Sequence, residues 1–172
     1  GDTFNAAIGQ GFNLTTPIQL SVMLSIVANG GTKYQPYLVD SIINSDGSLF
    51  EKPKRAEGKH IDVSQQTIDY IRMGMSATTQ EGGTASYFAG LPKPMAGKPG
   101  TAENSHGRDH GLFVAYGPVD DPELVVVCIV EQGGFGSVAA GPIVYKAFEE
   151  FFQEKGYMPR PDKAAPKKDT IQ

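Results

Sequence analysis

Between Ile18 and Val27 apolar side chains fall on every face of a helix: Ile18, Val22 and Ile26 alternate with Leu20, Met23, Leu24 and Val27. A helix that is apolar all round has to be buried. Its ends are marked as clearly as its body. Thr16 stands as the N-cap, Pro17 at the first helical position and Gln19 where it can close a capping box, and Gly30-Gly31 after Asn29 supplies a left-handed stop. A peripheral hairpin follows, because Tyr37 to Ile43 and Leu49-Phe50 flank the turn signal Asp46-Gly47. Lys52 to His60 is polar and basic, the pattern of a surface loop in which His60 meets solvent. Ser64 then caps a second helix with Ile68, Ile71 and Met75 on one face, fading at Glu81-Gly82-Gly83.

From Lys93 the periodicity changes to that of strands. Met95 to Ala102, Gly111 to Tyr116 and Leu124 to Glu131 are the three segments, the last two joined through Gly117-Pro118-Val119-Asp120-Asp121-Pro122, which predicts an antiparallel pair at least. Leu124 to Val130 is apolar without alternation and reads as a central strand covered on both faces, so helices are expected above and below the sheet. The segment from Ala139 to Glu154 is one of them. Pro142 lies in its first turn, and Ile143, Val144, Ala147, Phe148, Phe151 and Phe152 form a helical stripe. The fold class predicted is α+β, an antiparallel sheet covered by helices on both faces. Residues 1–156 form the domain and residues 157–172 a mobile tail rich in proline and lysine, with nothing to bury from Arg160 onward.

Composition adjusts this picture little. With 172 residues, 40% of them hydrophobic, the chain suits one globular domain with a modest core. A net charge of -4, evenly spread apart from the basic tail, announces no surface for nucleic acid. No apolar run approaches the roughly 20 residues needed to span a bilayer. The one cysteine, Cys128, sits within Leu124 to Val130 and reads as a small buried apolar side chain.

The stretch that points to chemistry is Ala96-Gly97-Lys98-Pro99-Gly100-Thr101-Ala102-Glu103, which puts a cation, a glycine and a hydroxyl within four positions of a predicted strand. In a strand, residues two apart present their N–H groups to the same edge, so positions 99 and 101 face together. Pro99 has no N–H and is tolerated only where that edge is unpaired. The edge carrying the Thr101 N–H is therefore expected to be free and open to a ligand.

The string resembles the Lys-Thr/Ser-Gly box of penicillin-binding proteins and serine β-lactamases. Other landmarks follow in family order. Asp2-Thr3 through Ala6-Ala7-Ile8-Gly9-Gln10-Gly11, then Thr16-Pro17-Ile18-Gln19-Leu20 and Ala28-Asn29-Gly30-Gly31, is similar to the segment after the second box of class B penicillin-binding proteins, and the Ile-Gly-Gln-Gly wording is nearest to the elongation type. Gly82-Gly83-Thr84-Ala85, the lysine box, His110-Gly111-Leu112-Phe113 and Gly117-Pro118 continue the order, so that the resemblance covers about residues 1 to 155.

The resemblance implies a β-lactamase/transpeptidase-like fold and a peptidoglycan D,D-transpeptidase. Such an enzyme attacks the D-Ala-D-Ala end of a stem peptide through a serine, forms an acyl-enzyme, and passes the acyl group to an amine; β-lactam antibiotics acylate the same serine. It further implies work with the cell-wall elongation machinery on the outer face of the cytoplasmic membrane, held by an anchor not in this chain, and no cofactor. Carried onto these residues, Lys98 supports proton transfer and the positive field of the cleft, Thr101 holds the substrate carboxylate and offers an oxyanion N–H, and Gly100 lets substrate backbone come close. Pro99 departs from the pattern, since the family has Thr or Ser there and a charge-assisted hydrogen bond of that kind is worth about 1.5–3 kcal/mol.

No serine here is followed three positions on by lysine or two positions on by asparagine. The nucleophile box and the second box are missing, and in the family both precede the region where this chain starts, which predicts a C-terminal half of the domain, inactive alone. The alternative is a non-catalytic module that recognises penicillin or peptidoglycan. A serine β-lactamase fits less well than a synthase at the Ile-Gly-Gln-Gly to Thr-Pro-Ile-Gln segment. His106, Asp109 and His110 lie in a polar loop rather than on a helix face and predict no metal site.

Overall fold

The computed structural model describes residues 2–11 and 14–160. A short helix, α1 (Asp2–Ala7), precedes α2 (Pro17–Ala28), and two-residue strands β1 (Thr32–Lys33) and β4 (Lys59–His60) pair across an arm that carries the hairpin β2 (Ile42–Ile43) and β3 (Leu49–Glu51). Helix α3 (Gln65–Thr79) and a 3-10 turn over Ser86–Gly90 lead into β5 (Ala96–Ala102), β6 (His110–Gly117) and β7 (Leu124–Val130), and the chain closes with α4 (Gly136–Ala139) and α5 (Gly141–Glu154). The sheet is antiparallel with the order β5-β6-β7. The tail from 161 to 172 lies outside the described residues, but Tyr157 and Met158 still pack on the body, Tyr157 against Phe152 at 5.8 Å between ring centroids.

The capping signals act as written. The Thr16 hydroxyl accepts from the Gln19 N–H at 3.3 Å while the Gln19 side chain accepts from the Thr16 N–H at 2.8 Å, which satisfies two of the donors a helix start leaves open. Ser64 caps α3 in the same manner, accepting from the Thr67 N–H. Helices cover both sheet faces, each over its own cluster. On one face Phe88, Phe113, Val144, Phe148 and Phe152 are buried together, with Phe88 and Phe113 stacked at 5.2 Å. On the other, Leu24 and Ala28 of α2 and Met75 of α3 meet Ala96 and Tyr116. The Thr79 hydroxyl donates to the Met95 carbonyl at 2.6 Å, which fixes the end of α3 to the start of β5.

Tyr116 is the one polar flaw in that second cluster. Its Oη is buried and makes no hydrogen bond of good geometry among the described residues; the Arg72 guanidinium lies beside it and donates to the Val119 carbonyl at 3.0 Å. Burial pushes the phenol upward from its usual range, against a weaker pull from Arg72.

Several expectations are corrected. Among the described residues β7 lies at an edge of the three-stranded sheet and β6 is central; continuous apolarity reports that α2 and α5 cover both faces of a strand, not its place in the order. Helix α2 is apolar all round but not buried all round, with Ile18 55% and Met23 50% exposed, and in α3 it is Ile71 that stays out while Ile68 and Met75 go in. The final helix runs to Glu154 as expected but starts at Gly141, behind a separate short helix, α4, that the sequence did not announce; Ala140, in the αR conformation, is the C-cap of α4 and the N-cap of α5. His60 is not merely solvated: it pairs with Thr32 in the β1–β4 ribbon, and its ring occupies the space where a Cβ on Gly31 would stand.

Candidate active-site strand

Strand β5 is placed at the sheet edge by what it cannot do. Among the described residues it pairs with β6 alone, in the register Lys98↔Val114, Pro99↔Phe113 and Thr101↔Gly111. A proline in mid-strand leaves its edge without a donor, and the chain turns that edge outward. The Thr101 carbonyl accepts from Gln10 Nε2 at 3.2 Å across the free side. In an antiparallel strand the N–H and C=O of one residue point the same way, so the Thr101 N–H also faces the free edge.

Lys98 and Thr101 are three positions apart and leave the strand on opposite faces. What brings them together is the edge. The Lys98 ammonium, exposed, folds back and donates to the Pro99 carbonyl at 2.7 Å, so a positive charge lies over the backbone two residues from the Thr101 N–H. Gly100 lies between them, and α4 packs behind it so closely that a Cβ on Gly136 would stand 2.3 Å from the Gly100 carbonyl oxygen and 1.9 Å from that of Leu112. The predicted site residues Lys98, Pro99, Gly100 and Thr101 therefore form one short unit, rigidly backed and open in front.

Beyond Thr101 the edge runs into an open polar groove of about 720 Å³ between the α1 segment and the β5–β6 loop, lined among others by Asn5, Gln10, Glu103, Asn104, Ser105 and Asp109. The loop holds itself in shape. Asn104 Oδ1 accepts from the His106 N–H at 3.0 Å, Asn104 Nδ2 donates to the Arg108 carbonyl at 3.2 Å, and His110 Nδ1 accepts from the Gln132 N–H at 3.0 Å. His106 and His110 are thus occupied with loop hydrogen bonds, His106 Nδ1 with the Ser105 hydroxyl. Gln10 is the residue that sequence reasoning left without a role. Its signal was present in the two flanking glycines, both of which take left-handed φ values of 76° and 77°.

Residues 1–149 match the model of the penicillin binding protein transpeptidase domain. The chain belongs to that family. It is 34% identical over 153 residues to the peptidoglycan D,D-transpeptidase MrdA of Escherichia coli, which covers 79% of this chain and 24% of the relative, and 32% identical over 168 residues to the stage V sporulation protein D of Bacillus subtilis, covering 90% and 25%. Among solved structures it resembles Pseudomonas aeruginosa PBP2 in complex with WCK 5153, with a TM-score of 0.76 and 32% identity over 96% of this chain and 36% of that one. The imipenem acyl-enzyme complex of Mycobacterium tuberculosis penicillin-binding protein A is similar at a TM-score of 0.73 and 27% identity, covering 87% of this chain and 33% of that one. The fold is β-lactamase/transpeptidase-like, α+β with antiparallel sheets. The chain spans between 24% and 36% of the length of these relatives.

Proposed function

We propose that this chain is the C-terminal half of the transpeptidase domain of an elongation-type peptidoglycan D,D-transpeptidase, supplying the strand on which the substrate lies, while the serine nucleophile belongs to residues that precede Gly1. The domain comprises residues 1–156 with a tail after it. The parent cross-links stem peptides that end in D-Ala-D-Ala through a serine acyl-enzyme, is acylated by β-lactams, and works with the cell-wall elongation machinery outside the cytoplasmic membrane.

One observation carries this reading: a free strand edge on which Thr101 presents both its N–H and its C=O, beside the Lys98 ammonium, within a chain of this family. An outward N–H aimed at a developing oxyanion lowers an acyl-transfer barrier because it needs no reorganisation when the charge appears, and one such donor is worth about 2.7–4 kcal/mol. Lys98 adds a positive field and a group able to pass a proton, Gly100 removes a side chain from the approach, and the Thr101 hydroxyl can hold a substrate carboxylate. The test is labelling with a fluorescent penicillin, read by mass spectrometry. The protein extended upstream of Gly1 should label stoichiometrically on a serine outside these 172 residues, and the 172-residue chain should not label. Stoichiometric labelling of the 172-residue chain would refute the division of the site, and an extended protein that binds penicillin without acylation would point to a non-catalytic module.

A further inference from the structure

Three backbone groups of β5 face its free edge between positions 99 and 101: the Pro99 carbonyl, the Thr101 N–H and the Thr101 carbonyl. Two are already engaged, the first by Lys98 Nζ at 2.7 Å and the last by Gln10 Nε2 at 3.2 Å, while the Thr101 N–H has no partner among the described residues. An extended peptide that adds to such an edge forms a close pair with Thr101, donating one N–H to its carbonyl and accepting its N–H in return. Gln10 Nε2 stands where that peptide N–H would have to be.

We propose that Gln10 is a placeholder: its carboxamide satisfies the Thr101 carbonyl while the edge is empty and is displaced by the backbone amide of the incoming peptide or acylamino ligand. This rests on the proposed function. Three observations favour a displaceable group over a fixed brace. The bond lies at the long end of the N–H···O range. Gln10 sits between Gly9 and Gly11, both left-handed, and nothing approaches within 4 Å of where a Cβ on Gly9 would be. The backbone N–H groups of Ile8, Gly9 and Gln10 bond within their own segment, to the Asn5 and Ala6 carbonyls, so the segment keeps its shape when the side chain lets go. The exchange favours the ligand because the carboxamide makes one bond with Thr101 and a strand makes two. The energetic consequence is a toll on binding: every ligand first displaces Gln10, and one without a suitably placed N–H displaces it with no bond in return.

The experiment uses the protein extended upstream of Gly1 and measures penicillin acylation at varied concentration, so that the constant for the non-covalent complex separates from the rate of acylation within it. Gln10→Ala and the equally long Gln10→Met, which lacks a donor, should each tighten the non-covalent complex by roughly two- to tenfold, the value of one neutral hydrogen bond, and leave the acylation rate within the complex unchanged. A brace would behave in the opposite way, with slower acylation and a lower melting temperature in both variants. Unchanged or weaker binding, or slower acylation in the complex, overturns the proposal. If the unsubstituted protein is acylated and the variants do not bind more tightly, only the placeholder fails; if the unsubstituted protein is not acylated at all, the proposed function fails and takes the placeholder with it.

Discussion

Gly136 offers the sharpest check on how the candidate strand is backed. A Cβ built there would lie 1.9 Å from the Leu112 carbonyl oxygen and 2.3 Å from that of Gly100, where ordinary contact begins at 3.4 Å, so Gly136→Ala is short of room by 1.5 Å, the difference between 3.4 and 1.9. Neither obstacle is the end of a flexible side chain; both are backbone atoms of paired strands. Overpacking of a well-filled core costs typically about 1–3 kcal/mol, and obstruction by backbone belongs at the top of that range. At about 2–4 °C per kcal/mol for a chain of this size, a cost of about 3 kcal/mol lowers the melting temperature by roughly 6–12 °C. Thermal melting followed by circular dichroism measures it, with Val138→Ala, 72% exposed on the same short helix, as the control that should stay within about 0.5 kcal/mol. The sign is the decisive feature. Alanine at a backbone conformation it can adopt stabilises relative to glycine by about 0.4–1 kcal/mol, through the lower entropy of the unfolded chain, so if α4 is not seated on β5 and β6, Gly136→Ala should melt higher than the parent, and that result would refute the packing described above.

Two further outcomes follow from the same geometry. Tyr116→Phe removes a buried hydroxyl that makes no hydrogen bond of good geometry among the described residues and should raise stability by about 1 kcal/mol in chemical denaturation; a fall instead would mean that the hydroxyl is bonded in solution, with Arg72 the nearest donor. In the protein extended upstream of Gly1, Pro99→Thr restores the hydroxyl and the N–H on the free edge and should raise the second-order rate of penicillin acylation by about tenfold, while Thr101→Val, which keeps the backbone N–H, should lower it only in part. No change in either variant would show that β5 does not line the cleft.

Much of this was legible from short-range signals. The Thr16-Pro17-x-Gln19 start, the Ser64 cap and the three long strands appear within a residue or two of where the sequence puts them, because caps, turn residues and short runs of strand-forming side chains are set by neighbours in the chain. Pro99 carried more than local information, since a missing donor in mid-strand marks an edge. What escaped depends on partners distant in sequence. The order of β6 and β7 is not encoded in apolarity, and the β1–β4 ribbon joins two residues to two others across the arm of residues 34–58. The contact between Gln10 and Thr101 spans 91 positions, and no periodicity reaches so far.

Pro99 has one more effect, on how the molecules behave toward each other. Strand β5 is seven residues long, and an edge of that length is a template on which a second copy can add and begin to aggregate. A proline at its middle interrupts any such ladder, and the Lys98 ammonium, folded over the adjoining carbonyl, sets a charge against it. The feature that withholds one donor from a ligand thus also blunts β5 as a template for a second copy, and a variant made more reactive by a donor at position 99 would offer a stickier edge there.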